Sequence, residues 1–306
     1  MLQLIADGLV VGSTVSLGAI GLTLTYSLLR FANFGHGELL TTGAYAALAV
    51  VTALAAWGVD APPIGPFSFG WPLLVALPVA AGATALVALA IDTLLFARLR
   101  ARGAAIVLII ASFGAALALR NLLLFVFGPL PEYYSREIQI AIALVPRGVM
   151  GGMRVTPDQM VVLGLAVAAM VALHLFLTRT VLGKAMRATA MNPDLARITG
   201  IDTAAVIRAT WILGAALAAL AGVFAGLTGQ VRTTLGFELL LPMFAAAILG
   251  GVGSIHGAAI GGLVVGLAES LLTPVLGAEY RAASAFLAII AILLVRPAGL
   301  FGRAAR

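Results

Sequence analysis

The chain has 306 residues, of which 62% are hydrophobic and only 10% are charged. A soluble globular domain carries roughly a quarter of its residues as charged side chains, so this composition excludes an ordinary soluble protein. Several apolar runs approach or exceed the ~20 residues that cross a bilayer as a helix. We therefore attribute the excess of 18 basic over 12 acidic residues to membrane topology and not to binding of nucleic acid.

The apolar runs predict an all-α, polytopic membrane protein with eight or nine spans. Two later runs, residues 239–250 and 258–272, are too short to cross alone, which favours a broken hairpin of half-length segments. Residues 1–306 then form a single transmembrane domain. The longer spans are expected at residues 4–29, 38–57, 71–96, 104–127, 158–178, 204–228 and 282–295.

Glycine pairs indicate where helices approach closely. Gly8 and Gly12 lie four residues apart in the first span, and Gly222 and Gly226 repeat this spacing in the sixth. Two glycines at this spacing leave a flat strip that allows a neighbouring backbone to come near. We expect both strips to be helix–helix contacts.

The longest polar run on the basic side of the chain, residues 179–203, carries the signals of a short helix over 193–199. Asn192 suits the N-cap, Pro193 suits the first helical position, and Gly200 suits a left-handed residue after the last turn. A loop that only reverses the chain does not need this order, so we expect another protein to bind here. The residues expected to form this surface are Gly183, Arg187, Asn192, Pro193, Asp194, Leu195, Ile198 and Gly200.

The basic residues predict the orientation of the chain. An excess of lysine and arginine in the loops marks the cytoplasmic side of a membrane protein. This rule places the N-terminus outside, and the loop 179–203 and the C-terminus in the cytoplasm. The side with twelve of the 18 bases contains Arg30, Arg98, Arg100, Arg102, Arg179, Lys184, Arg187, Arg197, Arg208, Arg296, Arg303 and Arg306.

Two similar stretches, residues 33–45 and 253–266, each place His-Gly at a break before a glycine-bearing apolar helix. Interrupted segments in corresponding positions of two halves indicate a transport pathway, although glycine and alanine also recur by chance in such a composition. Acids within apolar runs support the pathway, because they are costly in a bilayer and face protein or water. The expected pathway residues are Asn33, His36, Glu38, His256 and Glu269.

Several charged residues have a structural role as the alternative to a role in the pathway. Asp92 lies near Arg98 and is expected to pair with it, and Glu38 is also placed to interact with the start of its own helix. Arg120 is expected to extend toward the membrane interface.

No motif indicates catalysis. The three histidines have no metal-site spacing, and neither a nucleophile elbow nor a phosphate-binding glycine loop is present. We therefore expect no enzymatic activity and no cofactor, so that uphill transport draws on an ion gradient or a separate ATPase.

Several motifs together resemble the branched-chain amino acid permeases of bacterial ABC importers, most closely the shorter, H-type subunit of the high-affinity leucine/isoleucine/valine system. They are NFGHGE followed by GAY, LGKAMRATAMNPDLARITGID, AGVFAGL, AAAILGGVGSIHGAAIGGLVVGLAE and a terminal LLVRPAGLFG. The resemblance covers about residues 4–302. One departure is Gly35, where the family commonly has alanine.

The resemblance implies a location in the bacterial inner membrane and four kinds of partner besides the lipid bilayer. These are two ATP-binding subunits, which hold the ATP, a second permease subunit and a periplasmic binding protein. It also implies that residues 179–203 couple to the ATPase. The solute is not fixed, because relatives carry urea or amides, and an ion-coupled secondary transporter is the main alternative.

Overall fold

The structure is a computed structural model that describes residues 1–58, 62–100, 105–135, 137, 139–146 and 152–277 and positions 280, 283, 285–287, 290, 294, 296 and 299–301. Arg102, most of the expected final span 282–295, Arg303 and Arg306 lie outside the described residues.

Helices dominate the described part of the chain, which confirms the all-α prediction. They are α1 (Leu2–Leu29), α2 (His36–Ala56), α3 (Trp71–Ile91), α4 (Ala97–Arg100), α5 (Ala105–Phe127), α6 (Pro157–Arg179), α7 (Val181–Met191), α8 (Pro193–Ile198), α9 (Thr203–Thr228), α10 (Leu235–Gly250) and α11 (Ile255–Leu276). A π-helical turn, Asp92–Phe96, joins α3 to α4 so that one continuous helix covers Trp71–Arg100.

Seven helices in the described ranges are long and apolar enough to cross a bilayer, and α10 is a shorter apolar helix. The expectation of a second half-length segment at 258–272 is wrong. The Ser254 hydroxyl accepts a hydrogen bond from the Gly257 N–H and so starts α11 three residues early. The helix then continues to Leu276, and its 22 residues are enough to span a membrane.

A short β-hairpin lies between α5 and α6, where the sequence predicted only a long loop. Strands β1 (Ile142–Val145) and β2 (Met153–Val155) pair antiparallel. The backbone N–H of Arg154 donates to Gln3 Oε1 at 2.8 Å, which places this hairpin beside the start of α1.

The opposite end of α1 lies with the basic loops. Arg30 donates to the carbonyl of Ala190 at the end of α7, at 2.7 Å. The ring of Phe96 packs between Phe31 and Trp211, with centroids 5.2 and 5.4 Å away. The end of α1, the π-helical turn after α3 and the first half of α9 therefore share one end of the bundle.

Glycines allow α1 and α11 to lie in close contact along their lengths. A Cβ added to Gly8 would lie 2.9 Å from the Cα of Leu267, and one added to Gly12 would lie 2.9 Å from the Cα of Leu263. This confirms the first glycine pair. Of the second pair, Gly222 contacts the backbone of α2, whereas Gly226 contacts the Tyr134 side chain of a loop and not a helix.

Candidate functional site

The start of α2 lies inside the protein. The Phe34 N–H donates to the Ser112 hydroxyl of α5 at 3.1 Å, and the Gly35 N–H donates to Asn33 Oδ1 at 3.0 Å. The fully buried His36 donates from Nε2 to the carbonyl of Gly18 on α1 at 3.0 Å. These bonds satisfy polar groups that have no helical partner at this break. The chain can therefore change direction while it is buried among other helices.

Glu38 and Arg120 form a buried ion pair two residues into α2. Arg120 donates from both Nε and Nη2 to the same oxygen, Oε1, with the Nε bond at 3.0 Å. The Glu38 side chain is 2% exposed and the Arg120 side chain is 22% exposed. The expectation that Arg120 extends to the interface is therefore wrong, because its charge is neutralised by a carboxylate from another helix.

Phe237 of α10 covers the guanidinium of this pair. Its ring centroid lies 4.5 Å from Arg120 Cζ, a distance at which the negative face of the ring attracts the cation. Glu38, Arg120 and Phe237 therefore bring α2, α5 and α10 together at one point.

The structure places the other two expected pathway residues elsewhere. His256 is exposed and bonds to His174 of α6, with Nε2 and Nδ1 2.8 Å apart. Glu269 is buried further along α11, about 20 Å from His256 at the rise of a helix. Its neighbour Ser270 donates to the carbonyl of Leu4. Asn33, His36 and Glu38 thus form one group, and the two α11 residues do not form one with each other.

Asp92 pairs with Arg100 and not with Arg98. The Asp92 carboxylate and the Arg100 guanidinium are 2.7 Å apart. The π-helical turn at Asp92–Phe96 widens the helix, so that position 100 returns to the face of Asp92 while position 98 points away. The expected structural role of Asp92 therefore holds with a different partner.

The predicted short helix in the loop 179–203 is present as α8. Asn192 Oδ1 accepts from the N–H groups of Asp194 and Leu195 at 3.1 and 3.0 Å, and Gly200 has a φ of 88°. Leu195 is 57% exposed and Ile198 83% exposed, whereas Ala196 between them is buried. The helix thus rests on its own bundle through a small residue and presents its large apolar side chains outward.

Two other residues of this loop differ in their surroundings. Gly183 is buried against the end of α6, with no room for a Cβ beside Phe176 and Leu177, so it fixes the position of α7. Arg187 is exposed on α7. The loop therefore packs closely against α6 at Gly183, and its exposed surface is both basic and apolar.

The family model for the permease component of the branched-chain amino acid transport system matches residues 4–295. The chain belongs to this permease family. It is 34% identical to the high-affinity branched-chain amino acid transport system permease protein BraD of Pseudomonas aeruginosa, over 99% of this chain and 96% of that protein. It is 33% identical to the corresponding protein LivH of Escherichia coli, over the same shares of the two chains.

A solved structure, PsaBC from Streptococcus pneumoniae in complex with Fab, is similar over 94% of the permease and 89% of that chain. Its identity is 16% and its TM-score 0.46, a level too low to support a conclusion about the permease.

Sequence reasoning missed Arg120 and Phe237, which complete the buried contact of Glu38, and His174, which pairs with the exposed His256. A lone arginine in an apolar run was a usable signal, because a charge within a span normally faces the interior. No comparable signal marks Phe237 or His174, whose partners are distant along the chain.

Proposed function

We propose that this permease is the membrane-spanning subunit of an ATP-driven importer for branched-chain or related amino acids. Its family and its nearly full-length similarity to BraD and LivH support this function. The partners are two ATP-binding subunits, a second permease subunit and a periplasmic binding protein. The permease itself binds no ATP and catalyses no reaction; it forms part of the path for the solute.

The observation that carries this proposal is α8, with Leu195 and Ile198 exposed on a capped helix. Two large apolar side chains facing outward from a short helix suit a groove on another protein. Arg187 and Arg197 supply positive charge at the edge for carboxylates on that partner. Closure of the ATP-binding subunits then moves α8 and, with it, the helices on either side.

The orientation follows from the basic loops. With the loop 179–203 in the cytoplasm, the end of α1 that bonds to Ala190 is cytoplasmic and the N-terminus is outside. The β-hairpin beside Gln3 then faces the periplasm, where it is accessible to a binding protein. The permease lies in the inner membrane.

The polar start of α2 is the part of the path wall that the geometry favours. Asn33 and His36 hold the break there, and Glu38 carries charge into the protein. An ion-coupled transporter needs an acid that is free to load and release a proton. Glu38 and Asp92 are instead held by Arg120 and Arg100, which argues against either of them as the coupling acid.

Reconstitution tests the function. The permease is assembled with its ATP-binding subunits, second permease and binding protein in proteoliposomes, and uptake of labelled leucine is measured. Uptake should require ATP, continue with an uncoupler, and be reduced by excess valine and not by urea or acetamide. Uptake that stops with the uncoupler at constant ATP would instead support an ion-coupled transporter.

A further inference from the structure

The pairing of Glu38 with Arg120 leaves half of each charged group unused. Both guanidinium donors, Nε and Nη2, go to Oε1. Within the described residues, Oε2 is buried and makes no hydrogen bond of good geometry, although the Thr41 hydroxyl lies close to the Glu38 carboxylate, and no bond is formed by Nη1. An arginine and a carboxylate can use two oxygens in parallel, so this one-oxygen arrangement leaves one carboxylate oxygen and one guanidinium nitrogen for another partner.

A buried carboxylate oxygen without a partner is costly to leave in place. The cost is removed when a ligand supplies a donor to Oε2. The group that suits this oxygen is a cation, and the group that suits Arg120 Nη1 is an anion.

The Arg120 side of the pair is partly exposed, whereas the Glu38 side chain is only 2% exposed. The Arg120 side chain is 22% exposed, and Phe237 is half exposed beside it. Arg120 is about 10 Å from the end of α5 at the rise of an α-helix, which is inside the hydrocarbon layer. A charge at that depth faces water or another protein and not lipid, so this open edge belongs to the aqueous path or its dimer boundary.

We propose that Glu38 and Arg120 form a subsite for the zwitterionic head of an α-amino acid. The ammonium binds Glu38 Oε2, and the carboxylate binds Arg120 Nη1. Phe237 supplies an apolar surface for an aliphatic side chain next to the charged head. The subsite therefore selects α-amino acids with apolar side chains over amides and urea, which carry no charges. This inference rests on the proposed transport function.

The ion pair also holds α2 to α5, so its role in binding must be separated from a role in packing. A variant with Glu38→Met and Arg120→Met removes both charges at similar volume. Replacing a buried ion pair with apolar side chains is often neutral or stabilising for the fold. This double variant therefore keeps the packing while removing the subsite.

The test uses the complete importer in proteoliposomes and compares wild type, Glu38→Gln, Arg120→Gln and the double methionine variant. Binding-protein-stimulated ATP hydrolysis and leucine uptake are measured on the same vesicles. We expect leucine transported per ATP hydrolysed to be lower by about tenfold or more in all three variants, and total hydrolysis to fall further in the two single variants, because each leaves one buried charge unpaired. Phe237→Leu, which keeps an apolar side chain, should lower this ratio much less.

Two results overturn the subsite alone. One is leucine uptake near the wild-type level in the double methionine variant, which assigns the pair to packing. The other is loss of ATP hydrolysis in parallel with uptake in every variant, which assigns it to assembly. Wild-type vesicles that take up no leucine overturn the proposed function, and the subsite with it.

Discussion

Gly37 and Gly236 lie backbone against backbone, in the first turns of α2 and α10. A Cβ on either glycine would overlap the carbonyl group of the other. The Gly236 N–H also donates to the Thr41 hydroxyl of α2 at 2.9 Å. Two helices that begin inside the protein thus start against each other, and their contact lies beside the Glu38 and Phe237 side chains.

This contact predicts that Gly236→Ala destabilises the permease. The added methyl group would meet the Gly37 backbone, so no side-chain rotation can make room for it. Overpacking of this kind costs about 1–3 kcal/mol. The measurement is thermal unfolding of the purified protein in detergent. Gly114→Ala on α5 is the control, because its Cβ meets open space, and an equal loss in both variants would contradict the prediction.

The exposed residues of α8 predict a specific loss of coupling. Leu195→Asp with Ile198→Asp should insert normally and fail to co-purify with the ATP-binding subunits, with leucine uptake reduced about tenfold or more. Leu195→Met with Ile198→Met keeps the apolar surface and should behave like wild type. Full association and uptake in the aspartate variant would show that α8 is not the coupling element.

The cap of α8 has a separate, smaller effect. Asn192→Ala removes the acceptor for two backbone N–H groups and should cost the helix about 0.5–2 kcal/mol. A helix of six residues has little stability of its own, so the amides of Asp194 and Leu195 should exchange faster with deuterium. Asn192→Asp keeps an acceptor and should retain protection. Unchanged exchange in the alanine variant would show that tertiary contacts hold the helix.

The orientation predicts which positions are accessible from outside the cell. The chain has no cysteine, so single cysteines can be labelled without background. With an impermeant thiol reagent, Glu137→Cys should react in intact cells, and Met191→Cys, which is 77% exposed in the native side chain, should react only after permeabilisation. The reverse pattern would invert the topology.

Short-range signals carried much of the prediction. The cap at Asn192, the proline after it and the left-handed Gly200 all act within a few residues, so the sequence alone located α8 to within one residue of its end. The strip of Gly8 and Gly12 was recognisable for the same reason, although its partner on α11 was not.

Contacts between distant residues could not be predicted in this way. The partner of Glu38 is 82 residues away, and that of His256 also lies 82 residues away. A single sequence shows that a charge within a span is costly. It does not show which helix carries the opposite charge that neutralises it. The hairpin between α5 and α6 was missed because its strands are four and three residues long, which is too short for an alternating pattern to be recognised.

The seam between α1 and α11 has a consequence for biogenesis. The glycine strip of α1 leaves the ribosome early, but the residues that cover it, Leu263 and Leu267, follow more than 200 positions later. At bacterial rates of about 5–20 residues per second, the strip waits roughly 10–50 seconds for its partner. Closure of the bundle therefore cannot occur before α11 has been synthesised, and chains truncated before α11 should be preferred substrates of membrane quality-control proteases.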